Sequence, residues 1–135
     1  MALVTRDELV QVLTSSAFAR IYNLKLDSFS EGECTLAMPF QESLERPGGI
    51  VSGSVLMTAA DAAMWLAIMT RLGPDAMTVT TGMTTAFLRS ARREDVQCTA
   101  RVLKVGKQLI YGVAECKVGE GSLISHHTIT YARLD

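Results

Sequence analysis

The segment between Arg46 and Arg71 reads PGGIVSGSVLMTAADAAMWLAIMT and contains one charged residue, Asp61. An ionised carboxylate without a partner in such apolar surroundings costs several kcal/mol. Asp61 therefore has to be partnered, protonated or placed at the edge of a cavity that polar molecules reach. Functional sites are often built in this way. The glycines upstream of Asp61 within this segment predict a loop and helix that bind and attack a substrate.

Length and spacing next decide between a membrane span and a core helix. Residues 51–70 are long enough to cross a bilayer. The carboxylate of Asp61 at the centre, Gly53 and several small or hydroxyl side chains oppose that reading. We therefore predict a buried central helix, in a protein that does not insert into a membrane.

Composition narrows the class of protein further. With 135 residues, the chain is expected to form a single domain, residues 1–135, with one sizeable core. A net charge of −1 without long charged runs disfavours nucleic-acid binding. The three cysteines are widely spaced and odd in number, which predicts reduced core residues rather than disulfides or a zinc site. The N-terminus lacks a signal-peptide core, so we expect a cytoplasmic protein.

Hydrophobic periodicity and turn residues predict the order of the elements. Thr5 and Glu8 form a capping-box pattern at the first helix, and Gly73-Pro74 ends the central one. The predicted elements are a helix over 6–18, strands over 22–29 and 33–40, a loop over 41–53, a helix over 54–71, and strands over 76–90, 96–106, 107–119 and 122–134. This order predicts an α+β fold, in which one antiparallel sheet wraps around a single hydrophobic helix.

Helical geometry sorts the side chains of the central helix. Ser54, Thr58, Asp61 and Trp65 form one stripe. The apolar side chains expected to pack under the sheet are Met57, Met64, Leu66 and Ile68.

The loop before this helix has its own chemistry. Amides at a helix N-terminus, such as that of Gly53, can hydrogen-bond a carbonyl oxygen that gains negative charge during acyl transfer. Gly53 and Asp61 lie roughly 12 Å apart along a helix, at about 1.5 Å per residue. They cannot both touch one carbonyl within a single chain. A two-fold dimer with antiparallel helices would bring Gly53 of one subunit beside Asp61 of the other.

From about residue 10 to 133 the sequence resembles the hotdog-fold acyl-CoA thioesterases. The resemblance is to the phenylacetic-acid-degradation and 4-hydroxybenzoyl-CoA thioesterase-like group. That family carries an asparagine, a glycine, His-Gly-Gly, and an acidic residue nine positions after the histidine. The matching positions here are Arg46, Gly49, Ser52-Gly53-Ser54 and Asp61. The resemblance implies a hotdog fold.

The same match implies roles for individual residues. The amide of Gly53 would bind the thioester oxygen, and Asp61 would act as nucleophile or as general base for water. Thr80 stands where the family often has a hydroxyl that orients the water. Arg46 replaces the family's asparagine and Ser52 its histidine. Serine can still donate a hydrogen bond, so Ser52 is either a catalytic donor or only the N-cap of the helix.

Substrate-binding residues are expected around this motif. Arg46 can bind an acyl carboxylate or a phosphate of coenzyme A, with Gly49 and Ser54 beside it. Arg89 and Arg92 belong to a basic cluster at a strand end. They are either a clamp for coenzyme A phosphates or a solvated turn.

The resemblance, with these residues, implies an acyl-CoA thioesterase acting on small or medium acyl groups, aromatic ones included. It would work as a homodimer or homotetramer with its active site at the subunit interface. No metal or cofactor is required, since coenzyme A belongs to the substrate. The alternatives are a non-catalytic hotdog protein that binds acyl-CoA and a hotdog dehydratase. Dehydratases of this fold usually pair a histidine with the acidic residue, so His126 or His127 would have to reach Asp61 in the fold. These two histidines are adjacent and therefore point to opposite faces of a strand.

Overall fold

The computed structural model describes residues 1–134. Its main sheet has six strands in the order β1-β2-β6-β7-β8-β5, and every neighbouring pair is antiparallel. These strands are β1 (Lys25–Ser30), β2 (Glu33–Met38), β5 (Thr78–Phe87), β6 (Val96–Val105), β7 (Leu109–Val118) and β8 (Ser122–Arg133). The remaining elements are α1 (Arg6–Ser15), α2 (Ala17–Ile21), the short pair β3 (Glu45–Arg46) and β4 (Ile50–Val51), and α3 (Gly53–Leu72).

The helix α3 forms the centre of the core. It begins after Ser52, whose backbone is extended, and ends at Gly73, whose φ of 99° suits glycine. By length and composition α3 could cross a membrane, but 67% of its most apolar window is buried inside the fold. It is therefore the core helix on which the sheet folds. The α+β hotdog fold predicted from the sequence is confirmed.

The inner face of the sheet follows the period-two pattern of the strands. All three cysteines are buried and free, as predicted. Burial raises the pKa of the Cys34 thiol to about 12, so this side chain stays protonated. His127 is fully buried, whereas His126 is partly exposed on the other face. The prediction that these two histidines face opposite ways is confirmed.

The N-terminal region differs in detail from the prediction. The capping box of Thr5 and Glu8 is present, but the helix predicted over 6–18 stops at Ser15, and α2 follows as a separate turn. Ser16 has an extended backbone, and its hydroxyl donates to the carbonyl of Val12, which ends the helix there. The first strand begins at Lys25 rather than at residue 22, because Asn23 has a left-handed φ of 54°.

Two further details of the prediction were wrong. The segment expected to be a loop over 41–53 contains the hairpin of β3 and β4, whose turn is made by Gly48 and Gly49 at φ values of 103° and 72°. Met57 is 37% exposed rather than packed under the sheet. Position 57 lies three residues after Ser54 and four before Asp61, so it belongs to the uncovered stripe of the helix.

Candidate active site

Asp61 lies half-buried on the face of α3 that the sheet leaves uncovered. An open groove of about 500 Å³ runs along this face. Its walls include the aromatic rings of Phe18, Tyr22 and Trp65, and the rings of Phe18 and Trp65 are tilted with centroids 6.1 Å apart. The groove is therefore largely apolar, with the carboxylate among a few polar groups. Such a composition is typical of a small-molecule site.

The carboxylate of Asp61 is held by two hydroxyl groups. Thr80 donates to Oδ1 at 2.8 Å, and the Tyr131 hydroxyl donates to the same oxygen at 2.7 Å. The Tyr131 hydroxyl is also 2.9 Å from the main-chain oxygen of Asp61. Hydrogen bonds from neutral donors stabilise the charged form of a carboxylate in a partly dry site. Asp61 therefore has hydrogen-bond partners and also lies at the edge of a cavity, as the sequence led us to expect.

Tyr131 is the functional candidate that sequence reasoning missed. It is 4% exposed and lies directly opposite Thr80 in the register of β5 and β8. Burial, and then the charge of Asp61, raise the pKa of Tyr131 well above its ordinary value. Alternation with His127 and Ile129 places Tyr131 on the inner face, and a buried tyrosine hydroxyl needs a partner. That alternation was the available signal.

Gly53 lines a second groove, of about 390 Å³, at the start of α3. Its amide has no acceptor within residues 1–134, as expected in the first turn of a helix. The ring of Phe87 lies against Gly53 so closely that a Cβ there would come within 2.9 Å of it. Arg46 and Arg89 line the same groove. This groove therefore combines a free amide with two cations.

The two serines of the motif lie beside this amide. Ser52 occupies the N-cap position, yet its hydroxyl makes no capping bond and instead lies 3.0 Å from the hydroxyl of Ser54. Ser54 is exposed. Ser52 is thus an N-cap by position, and its hydroxyl is not committed to the helix backbone.

Gly49 and Arg92 lie away from the Gly53 groove, in a shallow depression with Gly48 and Arg93. Arg92 donates from Nη1 to the carbonyl of Gly48 at 3.0 Å. Arg93 Nε lies 3.5 Å from a carboxylate oxygen of Glu45. These contacts tie the residues around 92 to the turn of the β3–β4 hairpin. Of the predicted phosphate clamp, only Arg89 faces the same groove as Gly53.

The predicted catalytic residues thus fall into two groups on one chain. Asp61 and Thr80 share the aromatic groove, whereas Gly53 belongs to the other groove. Neither histidine lines the aromatic groove, and the ring nitrogens of His127 contact the hydroxyls of Thr85 and Ser125 at 2.8 Å each. Within residues 1–134, no group of three or more His, Cys, Asp or Glu side chains could hold a metal ion.

A comparison with known families gives this geometry a context. The sequence model described as "Thioesterase superfamily" matches residues 48–125, which include both grooves' central residues, Gly53 and Asp61. The chain belongs to the Thioesterase superfamily. It is a thioester hydrolase, and its free helix-terminal amide and held carboxylate are groups suited to that chemistry.

Solved structures of other proteins agree with the family assignment of this thioesterase. The structure of thioesterase superfamily member 2 from zebrafish is 26% identical, with a TM-score of 0.85, and the match covers 100% of this chain and 99% of that one. A conserved protein of Pseudomonas aeruginosa, PA5202, is 27% identical, with a TM-score of 0.86 and coverage of 97% and 100%. PaaI of the Escherichia coli phenylacetic acid degradation operon is 19% identical, with a TM-score of 0.85 and coverage of 96% and 95%, a likeness of fold alone.

Proposed function

We propose that this thioester hydrolase acts on acyl-CoA. The observation that carries the proposal is the Asp61 carboxylate, held on Oδ1 by two hydroxyls at the edge of an apolar groove. Asp61 attacks the thioester carbonyl carbon or removes a proton from the attacking water. In either case the thiolate of coenzyme A is expelled, and water supplies the oxygen that completes the free acid. Coenzyme A belongs to the substrate, and the proposal requires no metal or prosthetic group.

The aromatic groove is the proposed site of the acyl group. Phe18, Tyr22 and Trp65 offer flat apolar surfaces beside Asp61, and aromatic rings pair well with one another in tilted or offset arrangements. A volume of about 500 Å³ in an open groove suits a small or medium acyl chain, aryl groups included. We propose that these rings and the sheet edge orient the thioester with its carbonyl carbon towards Asp61.

A two-fold dimer formed along β5 is the proposed active assembly. β5 is ten residues long and forms one edge of the sheet, where no strand of residues 1–134 pairs with its outer hydrogen-bonding groups. Val79 and Phe87 on this edge are 45% and 54% exposed. Pairing with the β5 of a second copy would extend the sheet and cover these side chains. A tetramer would require a further interface.

The positions of Thr80 and Phe87 along β5 indicate how such a dimer would complete the active site. Along the strand, Thr80 contacts Asp61 and Phe87 contacts Gly53. An antiparallel pair centred near Met83 places position 87 of one copy beside position 80 of the other. Gly53 of one subunit then lies near Asp61 of its partner. Within one chain the two residues are roughly 12 Å apart along the helix, at about 1.5 Å per residue, which is too far for both to contact one carbonyl group. The complete site is thus proposed to belong to two chains.

Arg46 and Arg89 are the proposed contacts for the coenzyme A phosphates. Both are exposed, both line the Gly53 groove, and neither has a carboxylate partner within residues 1–134. A guanidinium group without an acidic partner is suited to a phosphate group. The polar contacts of Arg92, by contrast, stabilise the hairpin turn.

We expect Arg89→Ala to raise KM for acyl-CoA about tenfold with little change in kcat, because one charge-assisted phosphate contact is lost. The effect is expected to shrink at high salt, since it is electrostatic. Steady-state kinetics at two ionic strengths measure both quantities. Arg101→Ala, at an exposed position of β6, is the matched control. An unchanged KM for Arg89→Ala would show that the phosphates of coenzyme A bind elsewhere.

The decisive test of the function is release of free thiol from a panel of aryl- and alkyl-CoAs. Turnover that releases coenzyme A and the unaltered acid supports the proposal. An altered acyl chain would indicate a dehydratase, which the bonded ring nitrogens of His127 disfavour. If every substrate is inert but acyl-CoA raises the melting temperature, the protein binds acyl-CoA without hydrolysing it. We place this activity in the cytoplasm, in keeping with three free cysteines.

A further inference from the structure

The carboxylate oxygens of Asp61 have unequal surroundings. Oδ1 accepts from both Thr80 and Tyr131. Oδ2 receives no hydrogen bond within residues 1–134. This oxygen is not buried, so it is accessible to solvent. The two donors come from positions that pair directly across β5 and β8. The sheet therefore supplies a rigid support on one side of the carboxylate and leaves the other side open.

We propose that Tyr131 is a positioning residue of the hydrolysis, which together with Thr80 fixes Oδ1 of Asp61 and presents Oδ2 to the substrate or water. The proposal rests on the acyl-CoA hydrolysis argued above and names the oxygen that reacts. Tyr131 itself forms no bond to the substrate in this scheme. Its hydroxyl sets the orientation of the carboxylate plane.

The Tyr131 hydroxyl has one proton and two acceptors within reach, the main-chain oxygen of Asp61 and Oδ1. The charged oxygen is the stronger acceptor and is also the nearer one, so the proton is directed to Oδ1. Because burial keeps the phenol protonated, this donor persists wherever the carboxylate is ionised. Tyr131 is therefore a constant donor and takes no part in proton exchange with the substrate.

Orientation of this kind has a large kinetic effect. A reacting group displaced by about 1 Å can lose on the order of 100-fold in rate. With Tyr131 removed, only Thr80 holds Oδ1, and rotation about the Asp61 side chain exchanges the two oxygens more freely. The ring of Tyr131 also fills space in the core, so a purely structural role has to be separated from a positioning role.

Tyr131→Phe keeps the ring and removes the donor. We expect kcat to fall about 10- to 100-fold with KM within about twofold of wild type. A loss in kcat without a matching change in KM indicates positioning of the carboxylate, because a distorted core would weaken substrate binding as well. Tyr111→Phe, on an exposed position of β7, is the matched control and is expected to behave like wild type.

A second replacement tests the proposal without loss of the hydroxyl, should the phenylalanine variant fold poorly. A fluorinated tyrosine introduced only at position 131 is a stronger donor of the same shape. It is expected to hold Oδ1 at least as firmly as tyrosine and to keep kcat within about twofold of wild type, unlike the phenylalanine variant. Active wild type with an unchanged kcat in the phenylalanine variant, or with equal losses in both replacements, would overturn the role of Tyr131 alone. Inactive wild type on every acyl-CoA would overturn the proposed function, and the role of Tyr131 with it.

Discussion

Asp61→Asn is expected to lower kcat for acyl-CoA hydrolysis by at least about 1,000-fold, whether the carboxylate is the nucleophile or the general base. Asparagine keeps the size of the side chain and an oxygen that can accept from Thr80 and Tyr131. It lacks the charged oxygen that, in the proposed mechanism, attacks the carbonyl carbon or removes a proton from water. The proposed substrate contacts are the aromatic groove and the arginines, so KM is expected to stay within a few-fold of wild type.

Free-thiol release under saturating substrate measures this loss, and thermal unfolding shows whether the variant is folded. Asp61→Ala serves as a second variant, in which the Tyr131 hydroxyl keeps the main-chain oxygen of residue 61 as a partner. Its melting temperature is therefore expected to fall by only a few degrees. Asp75→Asn, at an exposed position after α3, is the matched control. A folded Asp61→Asn protein with activity within about tenfold of wild type would show that another group drives hydrolysis.

The sequence contained enough information to predict the core. An apolar helix of this length with a single carboxylate has to be surrounded by the rest of the chain, and one antiparallel sheet is the simplest cover. The capping box at Thr5 and the glycine stop at Gly73 both lie where the local pattern placed them. Local signals of this kind depend on neighbours within a few residues, so a single sequence reveals them.

The partners of Asp61 show where such reasoning ends. Thr80 is 19 positions from Asp61 and Tyr131 is 70 positions from it. Only the pairing of β5 with β8 brings Tyr131 opposite Thr80. Alternation along a strand gives the face on which a side chain lies, but it does not name the neighbouring strand. The resemblance to a known family supplied Thr80, and alternation could place Tyr131 on the inner face without showing that its hydroxyl meets Asp61.

The arginines show that closeness in sequence does not establish a shared site. Arg89 and Arg92 are close in sequence and looked like one cluster. In the structure Arg89 lines the Gly53 groove, whereas Arg92 donates to the carbonyl of Gly48 in the hairpin turn. Because the β3–β4 hairpin was not predicted, its need for a donor could not be anticipated. Arginines that are close in sequence can therefore have different roles, which depend on the backbone groups that the fold places near each side chain.

Gly53→Pro is expected to lower kcat about 100- to 1,000-fold, the effect of removing one donor from an oxyanion site. Position 53 is the first residue of α3, where proline is well tolerated and the amide has no helical acceptor. Ser52 already has the extended backbone, with φ −63° and ψ 140°, that proline requires of the residue before it. The substitution therefore removes the N–H with little disturbance of the helix.

Gly53→Ala is the matched control, because it keeps the amide and adds the Cβ that meets Phe87. The atoms that this Cβ meets first are at the tip of the Phe87 ring, the far end of a side chain, so a small shift of the ring relieves the contact. We expect Gly53→Ala to keep most of the wild-type kcat, with unfolding temperatures close to wild type for both variants. Equal losses in both would mean that crowding at Phe87, and not the missing amide, slows the reaction.

Mixed dimers then show whether the amide and the carboxylate act across two chains. Asp61→Asn and Gly53→Pro chains are each expected to be nearly inactive alone, but random exchange makes half of the dimers mixed. In a mixed dimer, the site with Gly53 from the first variant and Asp61 from the second is intact. About a quarter of wild-type activity is therefore expected to return, one intact site in half of the dimers. If both groups served one substrate from the same chain, every site would carry a defect and no activity would return.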